Sequence, residues 1–139
     1  MATETTTIIE RELRVAAPPE TVFSYWVEPA RLTTWMGREA TIEARPGGRF
    51  EIDYNTDNHM RGTVLECDPP RRLVYTFGWL GAEPPSPGPG ASTVEIDFVP
   101  DGDGTLMRLR HSGLDPAEVP THAEGWDQYL AALPRVATA

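Results

Sequence analysis

The sequence predicts an α+β fold, an antiparallel sheet of about seven strands with its helices gathered on one face. Three features carry that expectation. From Thr41 to His111, apolar and polar residues alternate in short runs divided by Gly, Pro, Asn and Asp, the pattern of strands and tight turns. Two short apolar stretches with helical spacing follow the first strand. Near the end, His122, Trp126, Tyr129, Leu130 and Leu133 recur at three- and four-residue spacing, which puts them on one face of a helix. A helix of about thirteen residues is a rod of roughly 20 Å, and it cannot bury a Trp, a Tyr and two Leu against itself. The sheet must supply the covering surface.

In chain order, Ile8 to Val15 reads as the first strand, with Ile9, Leu13 and Val15 on one side at period two. Ala17-Pro18-Pro19-Glu20 breaks it, and Val22, Phe23, Trp26 and Val27 then take helical spacing. Pro29 opens a second short helical turn with Leu32, Trp35 and Met36 as its apolar side. Thr41 to Ala44 leads into Arg45-Pro46-Gly47-Gly48, where Pro presets the first turn angle and Gly accepts positive φ, so a hairpin reverses the chain. Phe50, Ile52 and Tyr54 alternate with Arg49, Glu51 and Asp53. Asn55 to Asn58 is the next turn, Met60 to Cys67 the next strand, and Asp68-Pro69-Pro70 turns again. Leu73, Tyr75, Phe77 and Trp79 share one face of the run that follows. Gly81 to Ala91 holds four Pro and three Gly and nothing to pack, so it is a loop. Val94, Ile96 and Phe98 alternate with Thr93, Glu95 and Asp97, and Asp101-Gly102-Asp103-Gly104 closes a hairpin onto Thr105 to His111. Met107, Leu109 and His111 lie on one face of that last strand. The final helix is expected to run from Thr121 to Leu133, with Thr121 and Glu124 as a capping box after Pro120 and Pro134 blocking continuation.

Length and charge bound the function. The 139 residues are expected to form one domain with its core between about 8 and 133. No run approaches the roughly 18 apolar residues that cross a bilayer, and the first residues lack a signal-peptide pattern, so the cytoplasm is the expected location. A formal net charge of −9 argues against nucleic acid or an anionic membrane as partner, because both demand a positive patch. Cys67 is the only cysteine, which excludes an internal disulfide and a Cys-based zinc site.

Candidate catalytic and metal patterns fail in turn. His122-Ala123-Glu124 has the His-x-Glu of zinc deaminases without the cysteines that complete their site. Asp53-Tyr54-Asn55-Thr56-Asp57 has the oxygen spacing of a calcium loop, but Asn58 and Val64 stand where that loop needs Gly and a bidentate Glu. His111 and His122 flank the connection between the last strand and the last helix and could come close, yet no third ligand is identifiable. Phosphate-binding Gly loops, dinucleotide fingerprints and Gly-x-Ser-x-Gly are absent, so no cofactor is expected.

Five stretches together resemble a known family. They are Arg45-Pro46-Gly47-Gly48-Arg49-Phe50, Pro69-Pro70-Arg71-Arg72-Leu73-Val74-Tyr75-Thr76-Phe77, Gly104-Thr105, His111-Ser112-Gly113-Leu114, and Gly125-Trp126 with Leu130. In that order they resemble the activator of heat-shock-protein-90 ATPase homologue family of the START-like (SRPBCC) superfamily, over about Ile8 to Leu133. The resemblance implies a helix-grip fold, in which a curved antiparallel sheet wraps the C-terminal helix and often leaves a hydrophobic cavity. Trp35-Met36 stands where the family often has paired tryptophans, and Pro134 stops the last helix earlier than is usual there. The eukaryotic activator is similar only in its C-terminal domain, so chaperone activation is not the first expectation.

The aromatic residues carry the functional reading. Tyr54, Tyr75, Phe77, Trp79, Trp126 and Tyr129, with Met60, Met107, Trp35 and Phe50, are expected to line an apolar pocket, or else to pack a closed core. His111 and His122 would be among its few polar points, and the 81 to 91 loop a lid over its mouth. The first expectation is non-catalytic binding of a small hydrophobic molecule, polycyclic or lipid-like. The alternative is an enzyme like the polyketide cyclases and aromatases that the superfamily also contains, with a His or Tyr as general acid or base. A third is a chaperone-related or other protein-interaction module with a filled core. An exposed sheet edge would allow a homodimer, although no residue pattern specifies one.

Overall fold

A computed structural model describes residues 8–83 and 86–138. They form strand β1 (Ile9–Val15), helices α1 (Pro19–Val27) and α2 (Pro29–Leu32), strands β2 (Glu39–Ile42), β3 (Arg49–Asp53), β4 (His59–Asp68), β5 (Arg72–Phe77), β6 (Ser92–Asp101) and β7 (Gly104–Ser112), and helix α3 (Val119–Ala137). One antiparallel sheet runs in the order β1-β7-β6-β5-β4-β3-β2, so β2 to β7 pair as successive hairpins and β1 returns to the edge beside β7. This is the α+β, seven-stranded architecture expected from the alternating runs.

The sheet bends at β4. His59 to Thr63 pair with β3, Val64 onward with β5, and the register shifts between Val64 and Glu66 so that Leu65 bulges outward. A bulge bends its strand and increases the local twist. Gly62 sits at the bend, where a Cβ would fall 1.9 Å from the Thr76 carbonyl oxygen, so any side chain would push β4 and β5 apart. The curved inner face presents Leu73, Tyr75, Phe77, Val94, Ile96, Phe98, Met107, Leu109 and His111, all buried.

Helices α1 and α3 fill that concavity. Phe23 meets Phe98 edge-on at 5.2 Å between ring centres, and Trp26 meets Trp35 edge-on at 4.8 Å. The Trp26 indole N–H points at the Met107 sulfur at 3.3 Å. Trp126, Leu130, Leu133 and Ala137 form the buried stripe of α3. The opposite face of the sheet is solvated and charged, with Arg72 paired to Asp97 at 2.9 Å and to Glu95 at 2.8 Å.

Helix α3 corrects the expected boundaries at both ends. A 3-10 turn, Pro116–Glu118, capped by the Asp115 carboxylate on the Ala117 N–H at 3.0 Å, feeds straight into α3. Helix α3 therefore begins at Val119 with Glu118 as a cap that uses no side-chain bond, and Thr121 and Glu124 form no capping box. Pro120 falls in the first turn, where a missing N–H costs nothing. At the other end Pro134 lies inside the helix. The lost bond is offset by tertiary contacts of the last turn: Ala137 is buried, and the Tyr25 hydroxyl donates to the Val136 carbonyl at 3.1 Å.

Candidate functional site

A cleft of about 530 Å³, open to solvent, lies where the N-terminal half of α3 faces the β3–β4 turn and the loop after β5. Three pieces of chain build it. Helical spacing brings His122, Gly125, Trp126 and Tyr129 to one face of α3. Tyr54 follows the end of β3, and Phe77 closes β5. Trp79 extends β5 beyond Gly78 through an isolated bridge to Met60, which keeps it on the inner side. The Tyr54 ring centre is 5.4 Å from both Trp79 and Tyr129, tilted to each, so aromatic surfaces flank the cleft from sheet and helix. Gly125 leaves room between them, because a Cβ there would meet nothing within 4 Å.

Two histidines are held by tryptophans. The Trp79 indole N–H donates to His122 Nε2 at 3.0 Å, so His122 carries its proton on Nδ1, which donates to the Glu118 carbonyl at 2.7 Å. The Trp126 indole N–H donates to His111 Nδ1 at 3.0 Å. The His111 proton is then on Nε2 and donates to the Ser92 hydroxyl at 2.9 Å, and that hydroxyl donates to the Phe77 carbonyl at 2.7 Å. Each imidazole nitrogen is occupied. Burial, with the neighbouring His122 adding to it, pushes the His111 pKa down to about 3, so the ring is neutral at physiological pH. Burial also raises the Tyr54 and Tyr129 hydroxyls above the ordinary phenol range and keeps them protonated. Neither hydroxyl is hydrogen-bonded to another described residue, so both remain available as donors.

The structure divides the sequence-predicted residues into two groups. Tyr54, Phe77, Trp79, His122, Trp126 and Tyr129 line the cleft. Trp35, Phe50, Met60, Tyr75, Met107 and His111 are buried behind it and do not reach it. Phe50 stacks on Tyr75 with ring centres 3.8 Å apart, while Trp35 and Met107 pack around Trp26. The Tyr75 hydroxyl is buried with no hydrogen-bond partner. Sequence reasoning missed the polar rim: Asp57 and Asn58 from the turn after β3, His59 at the start of β4, Glu118 at the cap of α3, and Thr121 and Gln128 within it. The turn chemistry of the first two is visible in the sequence, but not that the turn faces a helix some sixty residues away. The Asp53 loop is a hairpin, in which His59 and Arg61 hold the Asp53 carboxylate at 2.8 and 2.9 Å and lower its pKa. Among the described residues, no group of three His, Cys, Asp or Glu is placed to hold a metal ion, and no helix is long and apolar enough to cross a membrane.

A curved seven-stranded antiparallel sheet closed on a C-terminal helix, with a cleft at one end of that helix, defines a helix-grip protein of the START-like (SRPBCC) class. The chain belongs to the Activator of Hsp90 ATPase homolog 1-like protein family, whose model matches residues 16–138. An AHSA1-like protein from Rhizobium etli is 43% identical, with a TM-score of 0.74 over 94% of this chain and 81% of that one. CalU16 from Micromonospora echinospora is 29% identical, with a TM-score of 0.77 over 94% of this chain and 76% of that one. An HSP90 activator from Plasmodium falciparum shares the fold at 19% identity, with a TM-score of 0.78 over 94% of this chain and 96% of that one. Comparison with curated proteins finds no match.

Proposed function

We propose that this protein binds a small hydrophobic molecule, without chemistry on it, in the cleft between Tyr54, Trp79 and α3. The observation that carries this reading is an open space of about 530 Å³ flanked by aromatic rings, within the size of small-molecule pockets. The histidines support it further. A general base needs a free nitrogen within reach of the proton it takes, and His111 and His122 have none. Their bonds instead fix the positions of Trp79 and Trp126. The polyketide-cyclase reading is therefore left to the Tyr54 and Tyr129 hydroxyls, which could donate a hydrogen bond to a ligand carbonyl. The interaction-module reading is disfavoured by the same open space.

Native mass spectrometry beside denaturing mass spectrometry tests the proposal. A ligand retained from expression, or a thermal shift with hydrophobic compounds that Trp79→Ala abolishes, is the expected result. Retention and shifts unchanged in Trp79→Ala would refute this cleft as the site. Turnover of a poly-ketone substrate that is lost in Tyr54→Phe or Tyr129→Phe would replace the binding reading by the enzymatic one.

A further inference from the structure

The charge balance of the cleft narrows the class of ligand. The chain contains twelve basic residues besides histidine, all arginine, and none of them lines the cleft. The rim histidine, His59, has both nitrogens committed, Nδ1 to the Asp53 carboxylate at 2.8 Å and Nε2 to the Thr56 carbonyl at 3.0 Å. Two carboxylates do line it. Glu118 is the more informative, because its side chain is only 18% exposed and the basic nitrogen paired with it, His122 Nδ1, lies at 3.8 Å and already donates to the Glu118 carbonyl. No arginine pairs with Glu118 or Asp57 among the described residues. Asp57 stands exposed on the facing turn.

A half-buried carboxylate without a partner is unfavourable unless a cation or donor meets it. The surrounding rings reinforce that preference, because the faces of Trp and Tyr attract cations. Tyr54 is tilted to both Trp79 and Tyr129 rather than stacked on either, so no face-to-face pair among them competes with a flat guest. A carboxylate or phosphate guest would meet two like charges and no arginine, and the rim histidine already faces the Asp53 carboxylate.

We propose that the cleft selects flat aromatic molecules that carry a protonated amine, with Glu118 and Asp57 as the groups that recognise the charge. This rests on the cleft being a small-molecule site. The test is a fluorescence titration with three probes on one ring system at pH 7: 9-(aminomethyl)anthracene, 9-(hydroxymethyl)anthracene and anthracene-9-carboxylate. The amine is expected to bind about tenfold more tightly than the alcohol, with the carboxylate weakest. In Glu118→Gln, and in Asp57→Asn as an independent variant, the advantage of the amine should shrink while the alcohol binds as before. Equal binding of all three probes, tighter binding of the carboxylate, or an amine preference that survives both variants would overturn the charge assignment and leave the cleft standing as an apolar site. Failure of all three probes to bind would overturn both readings.

Discussion

Gly125 stands in the middle of α3 against the cleft, and replacing it with alanine should make the protein more stable. Glycine inside a helix costs roughly 0.5–1 kcal/mol relative to alanine, because more backbone freedom is lost on folding. That gain is normally forfeited where the new methyl group collides with a packed neighbour. Here a Cβ would meet nothing within 4 Å, so the helical gain should appear almost whole. The expected increase of about 0.5–1 kcal/mol corresponds to a rise in Tm of roughly 2–5 °C for a domain of this size. Urea denaturation should move the midpoint to higher concentration without changing the slope. Gly125→Leu extends the argument, since leucine is also a good helix former but its side chain would occupy the space between His122 and Tyr129. Its stability should stay at or above the parent level while the binding of the anthracene probes is lost. Loss of stability in Gly125→Ala would refute the reasoning, since it would mean that helix and sheet are in contact at this point. A gain in stability would instead show that glycine here gives up stability for room, a common compromise at binding sites.

Two further outcomes follow from buried polar groups. His111 has a folded pKa of about 3, against about 6.5 unfolded, so between those values the unfolded chain binds the extra proton. Its contribution is fully present above pH 6.5 and is lost as the pH falls toward 3, at up to about 1.4 kcal/mol per unit. In His111→Gln, urea denaturation at pH 7 and pH 5 should show a lower overall stability but a pH-dependent loss about 2 kcal/mol smaller than in the parent; equal losses would contradict a buried neutral imidazole. Tyr75→Phe removes a hydroxyl with no partner and should be neutral or raise stability by up to about 1 kcal/mol in thermal unfolding, whereas a loss of that size would show that the hydroxyl is satisfied.

Much of the sheet is legible because one face is solvated. Thr93, Glu95 and Asp97 alternate with Val94, Ile96 and Phe98, and only one register puts the second set inside. The length of α3 is not legible in the same way. Pro134 is a sound local stop signal, and it is overridden by the Tyr25 bond to Val136 and the burial of Ala137, contacts made across more than a hundred residues. The cleft is intermediate. Period two marks Phe50, Met60, Tyr75 and Met107 as inward, but it cannot tell which part of the interior stays open. That is decided by α1, whose Trp26 packs with Trp35 against Met107 and fills the interior there. The pairing of each cleft tryptophan with a histidine depends on the same three-dimensional placement, as does the missing partner of Glu118.

The loop after β5 is anchored more narrowly than its length suggests. A Cβ on Gly78 would lie 1.8 Å from the Gly88 carbonyl oxygen, so the two backbones touch, and the Trp79 N–H donates to the Pro87 carbonyl at 2.9 Å. Leu80, Gly81, Ala82 and Ser86, which supply part of the cleft rim, therefore lie between two anchors that meet at nearly one point. Leu80 is tied to β4 as well, its N–H donating to the His59 carbonyl at 2.8 Å, so the freedom to vary begins beyond it. A change at Gly81, Ala82 or Ser86 would therefore alter the rim while the core that holds Trp79 and Trp126 stays the same.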